Sequence, residues 1–211
     1  MNQLIARNQL EEGIVYSQVT RGAADRDFVF PENTPPGFVA FTSVMELFNN
    51  PAETTGIPVV TTPDLRWKRR DIKSVNLLGQ VLAKQDAASR GAKEGWMVED
   101  GVVTEGVSSS AYIVKDGKII TRPLSNKILP GIRRRTLIEL CAEHGIEIEQ
   151  REFTVEEALA ADEAFISSAT AIAQGVVAID EQTIGDGTPG PVTLKMRELY
   201  TNRVLDEARN S

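Results

Sequence analysis

The sequence predicts a mixed α/β fold (α+β in part), because segments with the composition of strands alternate with segments that have the periodicity of helices. Short runs of β-branched and aromatic residues recur along the chain. Amphipathic stretches lie between them, and one run of turn residues divides the chain near residue 50. These three observations indicate a small N-terminal unit and a larger C-terminal domain, without an internal repeat.

Residues 1–47 are predicted to contain one helix and two strands. Apolar residues near the start suit one face of a short helix that ends at Gly13. The runs IVYSQVTRG and PGFVAFTSV predict strands at residues 14–22 and 36–44.

Residues 48–58, FNNPAETTGIP, are rich in turn residues and poor in apolar ones, so we expect a linker there. Residues 59–211 would then form the second domain. Within it, Asp116-Gly117 is a hairpin turn signal, and Thr154 with Glu157 has the spacing of a capping box. Its predicted strands lie in VVTTPDLRW, EGWMVED, VVTEG, AYIVKDGKIITR, IEIEQREF, EAFISSAT and GVVAID.

Three longer helices are predicted in this domain. The first begins at Ser74, and the last occupies PVTLKMRELYTNRVLDEA. The middle helix lies between two glycines, in GIRRRTLIELCAEHG. The expected apolar faces are Val75, Leu78, Val81 and Leu82 on the first helix, and Ile132, Leu137, Leu140 and Cys141 on the middle one.

The composition excludes several classes of protein. The 211 residues carry a net charge of −7 with a pI near 4.9, which argues against nucleic acid as a partner. Cys141 is the single cysteine and His144 the single histidine, so no disulfide can form within the chain, and neither a His-rich metal site nor a Ser-His-Asp triad is expected. We find no signal peptide and no membrane-spanning run, and therefore expect a cytoplasmic protein. From the single histidine we expect no metal.

Lys73 is the first candidate for chemistry. It follows the cationic cluster in RWKRRDIKSVNLL, at the predicted start of a helix, where a cation opposes the helix dipole. Neighbouring cations and burial favour the neutral amine, which is the form needed for a Schiff base. A solvated helix start is the alternative.

Further candidates follow Lys73 along the chain. Glu105, in TEGVSSSAY, could oppose a cationic ring nitrogen or only bond backbone in a turn, and Ser108 and Ser109 could contact a phosphate or a ring oxygen. Gly131 precedes a helix whose first amides, near Ile132 and Arg133, could seat a phosphate. The hydroxyl-rich residues 168–170 could close the same cradle, and Arg26, like Arg21, could hold a substrate carboxylate.

These motifs, in this order, resemble the class IV (fold type IV) pyridoxal-phosphate aminotransferases. The resemblance rests on DIKSVNLLGQVLAKQDA around Lys73, EGVSSSAY from Glu105, IIT ending at Thr121, and LPGIRR through Arg134. It extends over essentially the whole chain. Within the family, YSQVTRGAADRDFVFPEN is most similar to D-amino acid transaminases.

The resemblance implies a role for each candidate. Lys73 would form the Schiff base with pyridoxal 5'-phosphate and then move the proton at the substrate α-carbon. Glu105 would hold the pyridine nitrogen protonated, and Leu129 would pack against the ring. The phosphate would be bound by Gly131, Ile132 and Arg133 and by Ser168, Ala169 and Thr170, while Arg26 and Phe28 would contact the substrate.

Three residues and the N-terminus depart from the family pattern. Ser110 stands where asparagine is expected, Phe28 where the best-known members have histidine, and Ala169 where a threonine hydroxyl would be. Family members normally begin with a further stretch that supplies a phosphate-binding arginine and a pocket tyrosine. On that comparison, residues 1–47 would be a remnant of the small domain, and residues 59–211 the complete large domain.

The resemblance therefore implies a transaminase acting on an amino acid, preferably a D-amino acid such as D-alanine, and a 2-oxo acid. A branched-chain aminotransferase or an aminodeoxychorismate lyase of the same fold is one alternative. A shortened, weakly active or inactive family member that serves as a binding module is another. A homodimer is expected.

Overall fold

The computed structural model describes residues 1–47 and 51–210, which form two compact units, Met1–Asn50 and Pro51–Ser211. Part of the expected linker, residues 48–50, lies outside the described residues. The rest of it is ordered as helix α2 (Ala52–Thr55) and the first residues of strand β3 (Ile57–Pro63). The identity of the units as a small-domain remnant and a cofactor domain stays a prediction.

The first unit contains one helix and one antiparallel pair of strands. Helix α1 (Asn2–Arg7) ends six residues before Gly13, earlier than expected, and Gly13 instead opens strand β1 (Gly13–Thr20). Strand β2 (Gly37–Val44) pairs with β1 along its whole length. A side chain at Gly13 would place its Cβ 2.2 Å from the Ser43 carbonyl oxygen, which explains the glycine.

The second unit is built on one nine-stranded mixed sheet. Besides β3, its strands are β4 (Glu94–Glu99), β5 (Val102–Gly106), β6 (Ser110–Lys115), β7 (Lys118–Thr121), β8 (Ile148–Gln150), β9 (Glu163–Ser167), β10 (Gln174–Ile179) and β11 (Gln182–Thr183). They follow the order β5-β4-β3-β10-β9-β6-β7-β8, with β11 paired to β10. The pairs β3/β4, β3/β10 and β7/β8 are parallel, and the other pairs are antiparallel.

Four further helices pack against this sheet: α3 (Leu78–Ser89), α4 (Ile132–His144), α5 (Val155–Leu159) and α6 (Pro191–Asn210). Both faces of the sheet are buried at β6, whose side chains point alternately to the two sides. Ala111 and Ile113 join a core cluster with α5, whereas Tyr112 and Val114 join a cluster with α4 and α6. The mixed α/β architecture expected from the sequence is confirmed.

One turn and one helix cap predicted from short sequence patterns are present in the structure. Asp116 and Gly117 have φ angles of 51° and 76° and join β6 to β7 in a hairpin, as predicted. Thr154 and Glu157 form the capping box at the start of α5.

The prediction for α3 was wrong in two respects. The helix begins at Leu78 rather than at Ser74, and its expected buried stripe is exposed, with Leu78 71% and Val81 57% accessible. Ala83 and Ala87 face the sheet instead, because their small side chains allow the helix to approach β3 and β4 closely. On α4, Leu137, Leu140 and Cys141 are buried as predicted, whereas Ile132 is exposed.

Among the described residues, no helix is both long enough and apolar enough to cross a membrane. The same part of the chain contains no group of three or more His, Cys, Asp or Glu side chains arranged to hold a metal ion.

Candidate active site

Glu105 is a buried carboxylate on β5, only 5% accessible. Its Oε1 lies 2.5 Å from an Arg66 guanidinium nitrogen, and the Leu129 amide lies 3.2 Å from each carboxylate oxygen. Burial raises the pKa of Glu105, although Arg66 and the Leu129 amide oppose that rise. Glu105 is therefore a buried carboxyl group whose charge depends on its partners.

Arg66 is itself held by Asp64 in the segment that follows β3. Its Nε and its second terminal nitrogen lie 2.9 and 2.7 Å from the two Asp64 oxygens. The Thr104 hydroxyl, 2.6 Å from Asp64 Oδ2, and Arg70 hold the same aspartate. Burial acts to raise the pKa of Asp64, but the hydrogen bonds from Arg66 and Thr104 lower it overall. The side chains of Arg66, Asp64 and Arg70 are at most 4% accessible.

Leu129 connects this carboxylate to the start of α4. Its amide binds Glu105, and the helix begins three residues later at Ile132. Three residues span at most about 11 Å, so the carboxylate and the helix start can reach opposite ends of one small molecule. Gly131 is the N-cap and has no side chain with which to cap the helix, and no other side chain of the described residues binds its first amides, which leaves them available to an anion. A Cβ at Gly131 would come within 3.2 Å of the Ser110 hydroxyl.

Residues 168–170 form a tight turn after β9, next to the start of α4. The Ser168 hydroxyl accepts hydrogen bonds from the amides of Thr170 and Ala171, at 3.2 and 3.1 Å. The Arg133 guanidinium donates to the Ala169 carbonyl oxygen at 2.9 Å. The structure thus brings together the two segments that the sequence predicted as a phosphate cradle.

The two serines after Glu105 have different environments. The exposed Ser108 donates to Glu94 at 2.8 Å. Ser109 is buried, and its hydroxyl has no hydrogen-bond partner within the described part of the chain. A buried hydroxyl without a partner is unfavourable, so Ser109 carries a polar group that the described residues leave unsatisfied.

Lys73 does not lie in a helix, contrary to our expectation. It is exposed in the irregular segment before α3, and its amine makes no hydrogen bond or ion pair to any residue in the ranges 1–47 and 51–210. Three of the cations expected to favour its neutral amine are paired with carboxylates, since Arg66 and Arg70 are buried against Glu105 and Glu99, and Arg69 pairs with Asp71.

Arg26 and Phe28 lie in the first unit, in the loop between β1 and β2. The Arg26 guanidinium lies 4.8 Å from the centroid of the Phe28 ring, and Phe28 is 88% exposed. The two residues expected to contact a substrate are thus in contact with each other.

Sequence reasoning missed the Arg66–Glu105 pair. The residues are 39 positions apart, on segments that become neighbours only through the pairing of β3, β4 and β5. No local motif signals this contact. The sequence DLRW shows Asp64 beside Arg66, but it does not indicate the contact of Arg66 with Glu105.

Similarity to known proteins covers nearly the whole chain. The model of the amino-transferase class IV family matches residues 1–179. The D-alanine aminotransferase of Bacillus licheniformis is 40% identical over 207 residues, which are 98% of this chain and 73% of that protein.

Two solved structures show the same fold. The branched-chain amino acid aminotransferase of Thermobaculum terrenum, in its PLP-form (holo-form), has a TM-score of 0.78 at 27% identity, and the match covers 96% of this chain and 67% of that one. A Legionella pneumophila protein described as a 4-amino-4-deoxychorismate lyase has a TM-score of 0.80 at 21% identity, covering 95% and 73%, which is a likeness of fold alone. By the family model and by its identity to D-alanine aminotransferase, the chain belongs to the class IV aminotransferases.

Proposed function

We propose that this protein is a pyridoxal-phosphate-dependent transaminase that moves an amino group between an amino acid and a 2-oxo acid. Membership of the class IV aminotransferase family supports the reaction class. The 40% identity to a D-alanine aminotransferase supports D-amino acids, D-alanine among them, as the preferred donors. The observation that carries the proposal is the buried Glu105 carboxylate, connected through Leu129 to the start of α4.

The described residues fit this cofactor. Glu105 offers a carboxylate to a protonated ring nitrogen, and the buried Ser109 hydroxyl has no partner of its own among the described residues. The uncapped first turn of α4 offers amides to a phosphate, with Gly131 leaving the space that a side chain would fill. Leu129 would pack against the ring, and Ser168, Ala169 and Thr170 would complete the phosphate cradle.

When bound, pyridoxal phosphate supplies an electron sink for the bond broken at the substrate α-carbon. Lys73 would provide the amine that holds the cofactor and that then takes and returns the proton at this carbon. Its amine has no hydrogen-bond or ion-pair partner among the described residues, which suits that role. Arg26 would hold the substrate carboxylate through its forked guanidinium, next to Phe28.

The proposal is tested by the absorbance spectrum of the purified protein with added pyridoxal phosphate, beside Lys73→Ala. We expect a band near the edge of the visible region that Lys73→Ala lacks. Borohydride should abolish this band by reducing the C=N bond to a C–N bond, which leaves the cofactor permanently attached to the wild-type protein. Lys68→Ala, an exposed lysine five residues earlier, is the matched control and should keep the band. Identical spectra for wild type and Lys73→Ala would overturn the assignment.

The amino donor that the protein turns over distinguishes the proposed D-amino acid transaminase from the alternative activities. The likeness to the Thermobaculum terrenum enzyme favours a branched-chain aminotransferase as the second candidate. Turnover of D-alanine with a 2-oxo acid supports our proposal, and turnover of L-leucine alone supports the second candidate. Conversion of aminodeoxychorismate would indicate a lyase, and no turnover by a folded protein would indicate a binding module.

We further propose that the protein is a cytoplasmic homodimer. Apolar side chains in α3 and in the segment before it remain exposed, although Ala83 and Ala87 of the same helix are buried. Such a surface usually marks an interface, and a second copy of the chain is the partner that the family resemblance implies. The exposed residues are Leu65, Trp67, Ile72, Val75, Leu77, Leu78, Val81 and Leu82.

A further inference from the structure

We propose that Arg66 is a positioning residue for this reaction, which keeps Glu105 anionic and occupies its Oε1 so that Oε2 is presented to the ring nitrogen of the cofactor. The inference rests on the proposed function. It assigns a role to a residue outside the motifs that carry the family resemblance.

Burial creates the need for such a residue. Glu105 is 5% accessible, and removal of its carboxylate from water favours the protonated form. A protonated carboxyl group could not stabilise a protonated ring nitrogen by charge. Arg66 supplies a guanidinium that stays charged at any ordinary pH, 2.5 Å from Oε1.

Asp64 fixes the direction of Arg66. Its carboxylate receives two parallel hydrogen bonds from the guanidinium, at 2.9 and 2.7 Å, and this geometry holds the plane of the group. The third nitrogen then points at Glu105. Because Thr104 and Arg70 also hold Asp64, the arrangement exists before any ligand binds.

The contacts distinguish the two oxygens of Glu105. Oε1 is bonded to Arg66 and shares the Leu129 amide, whereas within the described residues Oε2 is bonded only to that shared amide. Oε2 thus retains the capacity to accept another hydrogen bond. It is the oxygen that can receive a ring N–H.

Charged groups on the neighbouring elements also act on Glu105. Arg66 lowers its pKa, and Asp64 raises it from the same segment. Arg134, buried on α4, is also close enough to interact with it. Since Arg66 is the charged group bonded directly to the carboxylate, its removal should have the largest effect on the charge of Glu105.

The first test measures Glu105 in the protein without cofactor, and so does not depend on whether Lys73 binds it. The protein is labelled with carboxyl-¹³C glutamate, and the Glu105 resonance is assigned by its absence in Glu105→Gln. In Arg66→Met we expect Glu105 to titrate at least about one pKa unit higher than in wild type, a tenfold change in its protonation equilibrium. Arg66→Lys, which keeps the charge, should titrate close to wild type.

Arg69→Met is the matched control, because Arg69 is an exposed arginine paired with Asp71. It should leave the titration of Glu105 unchanged. If Arg66→Met does not fold, Arg66→Gln replaces it with the same expectation. An unchanged Glu105 titration in a folded neutral variant would overturn the inference.

The second test asks whether Arg66 acts on the ring nitrogen. Wild type should bind pyridoxal phosphate more tightly than its 1-deaza analogue, which has carbon in place of that nitrogen. Arg66→Met should lose about tenfold of this preference, whereas Arg69→Met should keep it. Equal loss of affinity for both ligands would indicate a purely structural role and would overturn the inference. A normal preference in Arg66→Met would also overturn it.

Discussion

Glu99 accepts hydrogen bonds from two cations, one of which is Arg70, the arginine that also contacts Asp64. Arg70 and Lys127 each place a nitrogen 2.9 Å from one of its oxygens. The hydrogen bond from Arg70, followed by that from Lys127, lowers the pKa of Glu99 from an ordinary value of 4.5 to about 2. Ionised Glu99 therefore stabilises the fold.

This stabilisation has a defined pH window. Because the pKa is lower in the folded protein, the contribution is complete above pH 4.5 and is lost as the pH falls towards about 2. We expect the free energy of unfolding of wild type to exceed that of Glu99→Gln at neutral pH, with the difference shrinking through this window. Urea unfolding at a series of pH values measures it.

Glu139→Gln is the control for Glu99, because Glu139 is exposed and its ion pair with Arg135 is long, at 3.8 Å. Its difference from wild type should be small at every pH. A difference between wild type and Glu99→Gln that stays constant down to the acid limit of folding would contradict the assignment.

At the scale of single residues, the sequence predicted the local structure around the candidate side chains better than it predicted how those side chains are paired. Gly131 and the motif around Glu105 could be identified, because local sequence determines a helix start and a strand end. Arg66 was assigned to the cationic cluster before Lys73, and its bonds to Asp64 and Glu105 were not predicted. Pairing between distant residues depends on strand order, which local patterns do not contain.

Among the elements, α6 depends on a buried carboxylate at its start. Glu163 on β9 accepts the amides of Val192 and Thr193 at 2.9 and 2.8 Å. These amides belong to the first turn of the helix and would otherwise have no partner. Gly190 lets the chain pass close by, since a Cβ there would lie 2.2 Å from the Glu163 carboxyl carbon.

Replacement of Glu163 by glutamine should destabilise the domain. The amide group removes the charge and one of the two acceptor oxygens, and leaves a buried N–H group unpaired. We expect a loss of about 1–3 kcal/mol in the free energy of unfolding, measured by denaturant titration. Glu198→Gln, an exposed residue of the same helix, should change it by less than about 1 kcal/mol. Equal losses in both variants would show that Glu163 does not act as a cap.

Elements with a local signal were predicted well, and those that depend on their surroundings were not. The capping box of α5 and the Asp116-Gly117 hairpin rest on contacts within a few residues. The periodicity of α3 identified an apolar face, but it could not show what covers that face. Ala83 and Ala87, which carry little hydrophobic signal, make the contact with the sheet.

For the whole molecule, the sequence predicted the mixed class but not the order of strands. Strands β3 and β10 are parallel neighbours although more than a hundred residues separate them. Burial of both faces at β6 by two different clusters follows from this order. The apolar face around α3 was expected inside the domain, and its exposure is the feature that supports a dimer.

Association through this face should respond to charge. We expect wild type to sediment as a dimer at micromolar concentration, and Leu78→Glu with Val81→Glu to sediment as a monomer with unchanged circular dichroism. Two carboxylates buried without partners should weaken association about a hundredfold or more. Leu124→Glu changes another exposed leucine, outside α3, and should leave the dimer intact. A monomeric wild type, or a double variant that remains dimeric, would show that these residues do not form the interface.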